Sequence, residues 1–316
     1  MIVPFALVAS DRRVDMTAAH WMGMAWLAYA AMSLAWSPSP LDSLDWLWRF
    51  AVLAGAFVLG GLVEPRHIVA GFAAGVSVSG AVVMGEMTGV IEVAGSIKPA
   101  GLFGMKNYAA EAGLIALAGA VAYRMWWAVP LCAVAAFLPA SKAVWLAAVV
   151  LALVAWACRS RAGKVAFVAF VGACAVASVL WWNDPAIYTL PQRVELWRQT
   201  VDGMVLWGHG IGSYWAAFPA FQSGAPAELY GWAGMPAHAH NDALTLIAET
   251  GVASALLFGM AWMAATTRHP ARWPFIGFLL CGVAAFPLFN PATGIVGALL
   301  CGALCRARAG LRGVEP

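Results

Sequence analysis

Apolar residues run through this chain in ten blocks of 16 to 24 positions, at 19–36, 46–63, 67–90, 107–123, 125–140, 143–158, 164–182, 242–265, 273–289 and 291–306. Polar and charged residues gather between the blocks. With some tilt, a helix needs about 20 mostly apolar residues to cross a bilayer. The pattern therefore predicts an all-α, polytopic integral membrane bundle of about ten transmembrane helices. Proline interrupts two of the blocks: Pro130 and Pro139 fall in 125–140, and Pro287 in 273–289.

Composition removes the alternatives. Of 316 residues, 63% are hydrophobic and only 10% charged, with a mean hydropathy of +0.79. Typical soluble domains carry about 25% charged residues. A water-soluble globule, a disordered tail, a collagen-like rod and a disulfide-stapled module are all excluded. The cysteines Cys132, Cys158, Cys174, Cys281, Cys301 and Cys305 lie inside apolar runs without CxxC spacing, and read as small buried hydrophobes. Met1–Ala9 is apolar but too short to span, and no cleavable signal peptide is expected.

The net charge of +3 matters less than its placement. With a cytoplasmic N-terminus, 12 of the 18 basic residues (Arg12, Arg13, Arg66, Arg124, Arg159, Arg161, Lys164, Arg268, Arg272, Arg306, Arg308 and Arg312) fall on inside segments. That is the positive-inside pattern, and it predicts both termini in the cytoplasm. The chain then divides into a bundle of about seven helices over 1–182, an outer cap loop over 183–241, and about three helices over 242–316. The loop is rich in Gly, Pro and aromatic residues, which argues for a folded periplasmic cap. Residues 191–206 can form a helix in it, and Gly208-His209-Gly210-Ile211-Gly212 forces a turn. That run is no nucleotide fingerprint, because no strand precedes it and no βαβ unit surrounds it.

Ionisable residues at or near membrane depth are functional candidates. Here they collect on the outer side: Lys106, Asn107, Glu111, Lys142, Arg193, Arg198, His209, His238, His240, Asn241, Asp242 and Glu249. Asn241 or Asp242 can cap the helix that follows, leaving His240 at its mouth as an acceptor for a hydroxyl proton. His238 is a capping or lining residue. Glu249 lies two turns deeper and needs a partner, with Arg193 or Lys142 in reach by topology. Lys142 and Arg193, both near helix starts, suit a phosphate or pyrophosphate. Arg198 either joins them or faces water. Lys106 and Asn107 form a polar helix start that either lines the site or simply begins the helix. HxH alone is a weak zinc signal, and neither a metal nor a cofactor is expected.

These residues, in this order, resemble the superfamily of O-antigen ligases and O-antigen or exopolysaccharide polymerases, bacterial membrane glycosyltransferases. The resemblance runs from Trp36-Ser37-Pro38 to Asn290-Pro291. Its anchors are Gly101-Leu-Phe-Gly-Met-Lys106-Asn107, Ser141-Lys142-Ala143, Arg193-x3-Trp197, Gly208-His-Gly-Ile-Gly212, and His240-Asn241 followed after nine residues by Gly251-x-x-Ser254. The resemblance implies transfer of a glycan from a polyprenyl-pyrophosphate carrier to a glycan or lipid A core acceptor on the outer face of the inner membrane, without metal or nucleic acid. By motif, His240 is the general base and Arg193 holds the pyrophosphate. Lys142 stands where ligases carry arginine, and Ser254 where the signature ends in glycine. Ser-Lys-Ala and Lys-Asn are closer to the polymerase side. Two other classes compete: a multi-pass transporter or flippase, and an inactive scaffold of a glycan-export complex.

Overall fold

A computed structural model describes residues 17–93, 99–169, 189–222 and 236–311. All regular elements among them are helical. They are α1 (Ala18–Met32), α2 (Pro40–Gly60), α3 (Pro65–Thr88), α4 (Lys106–Ala122), α5 (Val129–Phe137), α6 (Lys142–Ala157), α7 (Thr189–Asp202), α8 (Tyr214–Ala217), α9 (Asp242–Thr250), α10 (Ser254–Ala265), α11 (Arg272–Ala284) and α12 (Pro291–Leu311). Residues 161–169 are helical as well. The remainder of the 164–182 block, Cys174, and the loop aromatics Tyr188, Tyr230 and Trp232 lie outside the described residues.

By length and composition, four helices among the described residues can cross a membrane: Pro40–Gly60, Pro65–Thr88, Asp242–Ala265 taken through its break, and Pro291–Gly310. Only 28% of the most apolar window of α2 and 39% of that of α3 is buried within the protein. Much of the rest is half-buried or exposed apolar surface, including Trp48 at 70% exposure, which water would disfavour and lipid accepts. A membrane protein is thus what the apolar helices are consistent with.

Two blocks differ from their expected lengths. The 125–140 block yields only the nine residues of α5, about 14 Å of rise against a hydrocarbon core of about 30 Å. Pro130 sits in its first turn, where proline is tolerated, and Ala140 at φ 54° turns the chain after it. The 242–265 block is divided into α9 and α10 by a 3-10 turn over Gly251–Ala253.

The described residues pack as two units, the first built from segments within 1–28, 48–148 and 255–316. At its centre is α4, buried all round from Ala109 to Ile115 and packed by α3, α5, α11 and α12. Alanine and glycine line these contacts because lipid gives no hydrophobic drive and close backbone approach must supply dispersion instead. A Cβ on Gly60 would stand 2.0 Å from the Leu299 carbonyl oxygen, and one on Gly302 1.9 Å from that of Phe57. The α2–α12 crossing therefore admits no side chain at either place.

The second unit takes residues 29–47 and described parts of 149–254. It carries a small core of Leu196, Tyr214, Phe218, Ala239 and Ala248, with Phe221 and Leu244 packed against it. The helix expected over 191–206 is α7, which lies against α9.

Candidate functional site

The segment before α9 is pinned residue by residue. Asn241, not Asp242, is the N-cap: its Oδ1 accepts from the Leu244 N–H over 3.1 Å. Thr245 Oγ1 accepts from the Ala239 N–H (3.1 Å) and donates to the Asn241 carbonyl (3.0 Å). Between those two fixed residues stands His240, at φ 51°. A non-glycine residue there sacrifices about 1–2 kcal/mol and persists only where its surroundings impose it.

Helix α7 supplies the wall beside it. Trp197 donates its indole N–H to the Ala239 carbonyl over 2.8 Å, and Thr200 Oγ1 lies 2.7 Å from the Tyr214 hydroxyl. Arg193 is four residues before Trp197, so both share one face of α7. Burial, and then the Arg193 charge, push the His240 imidazole down to about 4. The pair is a neutral ring nitrogen held unprotonated at neutral pH, with a guanidinium acting on it. Such a pair can accept a hydroxyl proton and counter an arriving anion.

Around the far end of α9 runs the Gly208–Gly212 turn. His209 and Gly210 donate their N–H groups to the Ala248 and Glu249 carbonyls (both 2.9 Å), and Val252 donates to the Leu206 carbonyl (2.9 Å). The first two bonds satisfy helix-end carbonyls of α9 that would otherwise be orphaned. Gly208 (φ 73°) and Gly251 (φ 54°) make the crossing possible, since a Cβ on Gly208 would lie 2.3 Å from the Glu249 carbonyl oxygen. Residues 29–47 brace the turn: the Trp36 indole donates to the Gly208 carbonyl (3.0 Å), Tyr29 to that of Trp207 (2.7 Å), and Ile211 N–H to Ser33 Oγ (3.0 Å).

Glu249 is the buried pin of this turn. It is 1% exposed, and its carboxyl group accepts from the backbone N–H groups of Gly212 and of Tyr214, the latter at 3.2 Å. The cation expected as its partner is replaced by backbone amides. His209 is structural too, its Nε2–H donating to the Gly203 carbonyl (2.8 Å) while its ring stacks on Phe221. His238 packs edge-on against Trp46, ring centroids 5.5 Å apart. Arg198 is exposed and engaged on its own helix, bidentate to Glu195 (2.6 and 2.9 Å) and 2.7 Å from Asp202. That contact holds the Glu195 carboxyl below its usual range.

Lys106, Asn107, Glu111 and Lys142 belong to the first unit, His240 and Arg193 to the second. Lys106 opens α4 and Lys142 opens α6, both exposed; Asn107 is half-buried and Glu111 buried. Among the described residues no group of three or more His, Cys, Asp or Glu side chains could hold a metal ion. Thr245, Trp46, Tyr29 and Ser33 escape the sequence reading, and Trp36 enters it only as the start of the resemblance. Thr245, four residues after the cap, is the one that local pattern could have flagged.

No known protein family's sequence profile matches the chain, and no characterised protein matches it.

Proposed function

We propose that the chain is a metal-independent membrane glycosyltransferase of the O-antigen ligase or polysaccharide polymerase type, with its site on the periplasmic face of the inner membrane and both termini in the cytoplasm. The observation that carries this reading is the His240–Arg193 pair: a neutral imidazole at a helix mouth under the field of one guanidinium. The reaction asks for little more. An acceptor sugar hydroxyl gives its proton to the His240 ring nitrogen, and its oxygen bonds to the anomeric carbon of the donor. The bond from that carbon to the carrier phosphate breaks, and the polyprenyl pyrophosphate leaves with the electron pair. Arg193 holds the growing charge on the leaving group. Positioning and preorganised charge supply much of the rate.

An imidazole near 4 is a weak base, and Brønsted behaviour favours one nearer working pH. Burial is the larger cause of that depression and the Arg193 charge the smaller; a pyrophosphate seated on Arg193 offsets the second, so basicity rises when substrate is in place. His238 and Asn241 take lining roles in this reading. Arg198 and Glu249 act through structure, one within α7 and the other under the Gly208–Gly212 turn.

The test is in vitro transfer by the purified chain from undecaprenyl-pyrophosphate glycan to candidate acceptors, with products sized. A ladder identifies a polymerase, and single addition to lipid A core a ligase. His240→Ala abolishes product while donor binding persists. Normal product from that variant removes His240 from the chemistry, and donor binding without any product from the native chain identifies a scaffold. Uptake or flipping of the donor without a new glycosidic bond identifies a transporter.

A further inference from the structure

Two residues of the second unit, Asp42 and Trp215, form a pair that glycosyl transfer leaves unused. Asp42 stands in the first turn of α2 and accepts two hydrogen bonds, both on Oδ2. One comes from the Trp215 indole N–H over 3.2 Å, the other from the Ser39 hydroxyl. Its second oxygen, Oδ1, accepts no hydrogen bond among the described residues and keeps surface open to solvent. A carboxylate has about four acceptor positions, so this oxygen is available to a ligand. Trp215 donates through its one polar atom, which fixes the ring, and the side chain is still 46% exposed.

An open indole beside an open carboxylate oxygen has two kinds of chemistry on offer. The flat apolar ring suits the C–H face of a sugar, and the carboxylate suits a hydroxyl at the edge of that sugar. Few polar groups set around an aromatic surface are the usual make-up of a small-molecule site.

A row of contacts ties the pair to His240. Asp42 and Trp46 are four residues apart on α2, so they share a face with about 5–6 Å between Cβ atoms. Trp46 packs edge-on against His238, ring centroids 5.5 Å apart. It also lies on the Gly212 backbone, where a Cβ would stand 2.2 Å from its Cδ1. His238 precedes His240 by two residues, in the segment that Trp197 and Thr245 pin. The path from Trp215 to His240 is thus a few side chains long, the reach of a short oligosaccharide.

Charge narrows the ligand. Oδ1 accepts from a hydroxyl but repels another carboxylate, and such repulsion is a source of specificity. We propose that Trp215 and Asp42 form a subsite for a neutral pyranose of the glycan, its ring stacked on the indole and a hydroxyl on Oδ1, and that a uronic acid is refused there. The subsite rests on the transfer function proposed above, and its test reads binding separately from transfer.

The full chain in nanodiscs is titrated with methyl glucoside, methyl galactoside and methyl mannoside, and with methyl glucuronide, using saturation-transfer NMR. At least one neutral glycoside is expected to bind, and the glucuronide at least tenfold more weakly. Asp42→Asn keeps a carbonyl oxygen for Trp215 and Ser39 but loses the charge, and is expected to weaken the neutral sugar severalfold and to narrow the gap to the glucuronide. Trp215→Ala is expected to weaken every sugar about tenfold. Trp215→Phe keeps a stacking face and is expected to fall between, which preserves the test if the alanine variant does not fold. Unfolding midpoints are read alongside, because an exposed tryptophan can also anchor a protein at the membrane interface. Trp215 variants that lower the midpoint but bind sugar as the native chain does overturn the proposal, and so does a native chain that transfers glycan while binding no neutral glycoside. A native chain that binds the glycoside but forms no glycosidic bond refutes the transfer function and leaves the subsite standing.

Discussion

Trp197 holds Ala239 by a 2.8 Å bond from its indole nitrogen to the backbone carbonyl, one residue before His240. Four residues earlier on the same face of α7, Arg193 places its charge on His240. The Arg-x3-Trp spacing is therefore a physical device. One turn of helix delivers a cation, and the next clamps the strand that carries the base.

Trp197→Phe tests that device. Phenylalanine keeps most of the packing and loses the N–H, leaving the Ala239 carbonyl without its indole partner. The expected stability cost is about 1 kcal/mol. Because a small misplacement of a reacting group costs rate steeply, transfer is expected to fall about tenfold or more at unchanged expression. A variant with reduced midpoint but native kcat would confine Trp197 to folding.

His240 occupies left-handed backbone, which glycine accepts without strain. His240→Gly and His240→Ala both remove the imidazole, yet only alanine retains the strain. The glycine variant is expected to unfold at the higher midpoint, by about 1 kcal/mol of stability, with both inactive in transfer. Equal midpoints would show that the surrounding bonds do not enforce the conformation in the variants.

The apolar blocks already located these helices, since α3, α4, α6 and α12 begin within three residues of their expected positions. Helix α2 begins six residues early, at Pro40, because Asp42, Ser43 and Asp45 lower local hydropathy without opposing helix geometry. The shortness of α5 is not legible from an apolar run that continues past its end. At the site, the capping role of Asn241 follows from local chemistry, and so does a turn at Gly208–Gly212. The partner of Glu249 does not, because backbone amides leave no mark in sequence. The bond from Trp36 to Gly208 joins residues 172 positions apart, beyond any periodicity.

Glu249 separates anchoring from catalysis. Glu249→Ala strips two buried backbone N–H groups of their acceptor and is expected to cost about 2 kcal/mol or more. Glu249→Gln keeps one carbonyl-type oxygen for Gly212 and Tyr214, and is expected to retain both fold and transfer. A glutamine variant that unfolds at the native midpoint but makes no product would move Glu249 into the chemistry.

Acid titration reads the environment of His240 directly. Burial and the Arg193 charge hold its folded value at about 4, against an ordinary value of 6.5. The folded chain thus binds this proton more weakly than the unfolded chain does. The contribution to stability is complete above pH 6.5 and is lost as pH falls through that value towards 4 and below. His240→Asn is expected to flatten that part of the pH–stability curve. Arg193→Gln, by removing the second cause, is expected to raise the His240 value and narrow the window. In transfer kinetics, the acid limb of kcat/KM reports the free enzyme and that of kcat the donor complex. With donor on Arg193, the kcat limb is expected at higher pH than the kcat/KM limb. Coincident limbs would mean that the arginine charge persists when the pyrophosphate is bound, and would refute the coupling between donor seating and base strength.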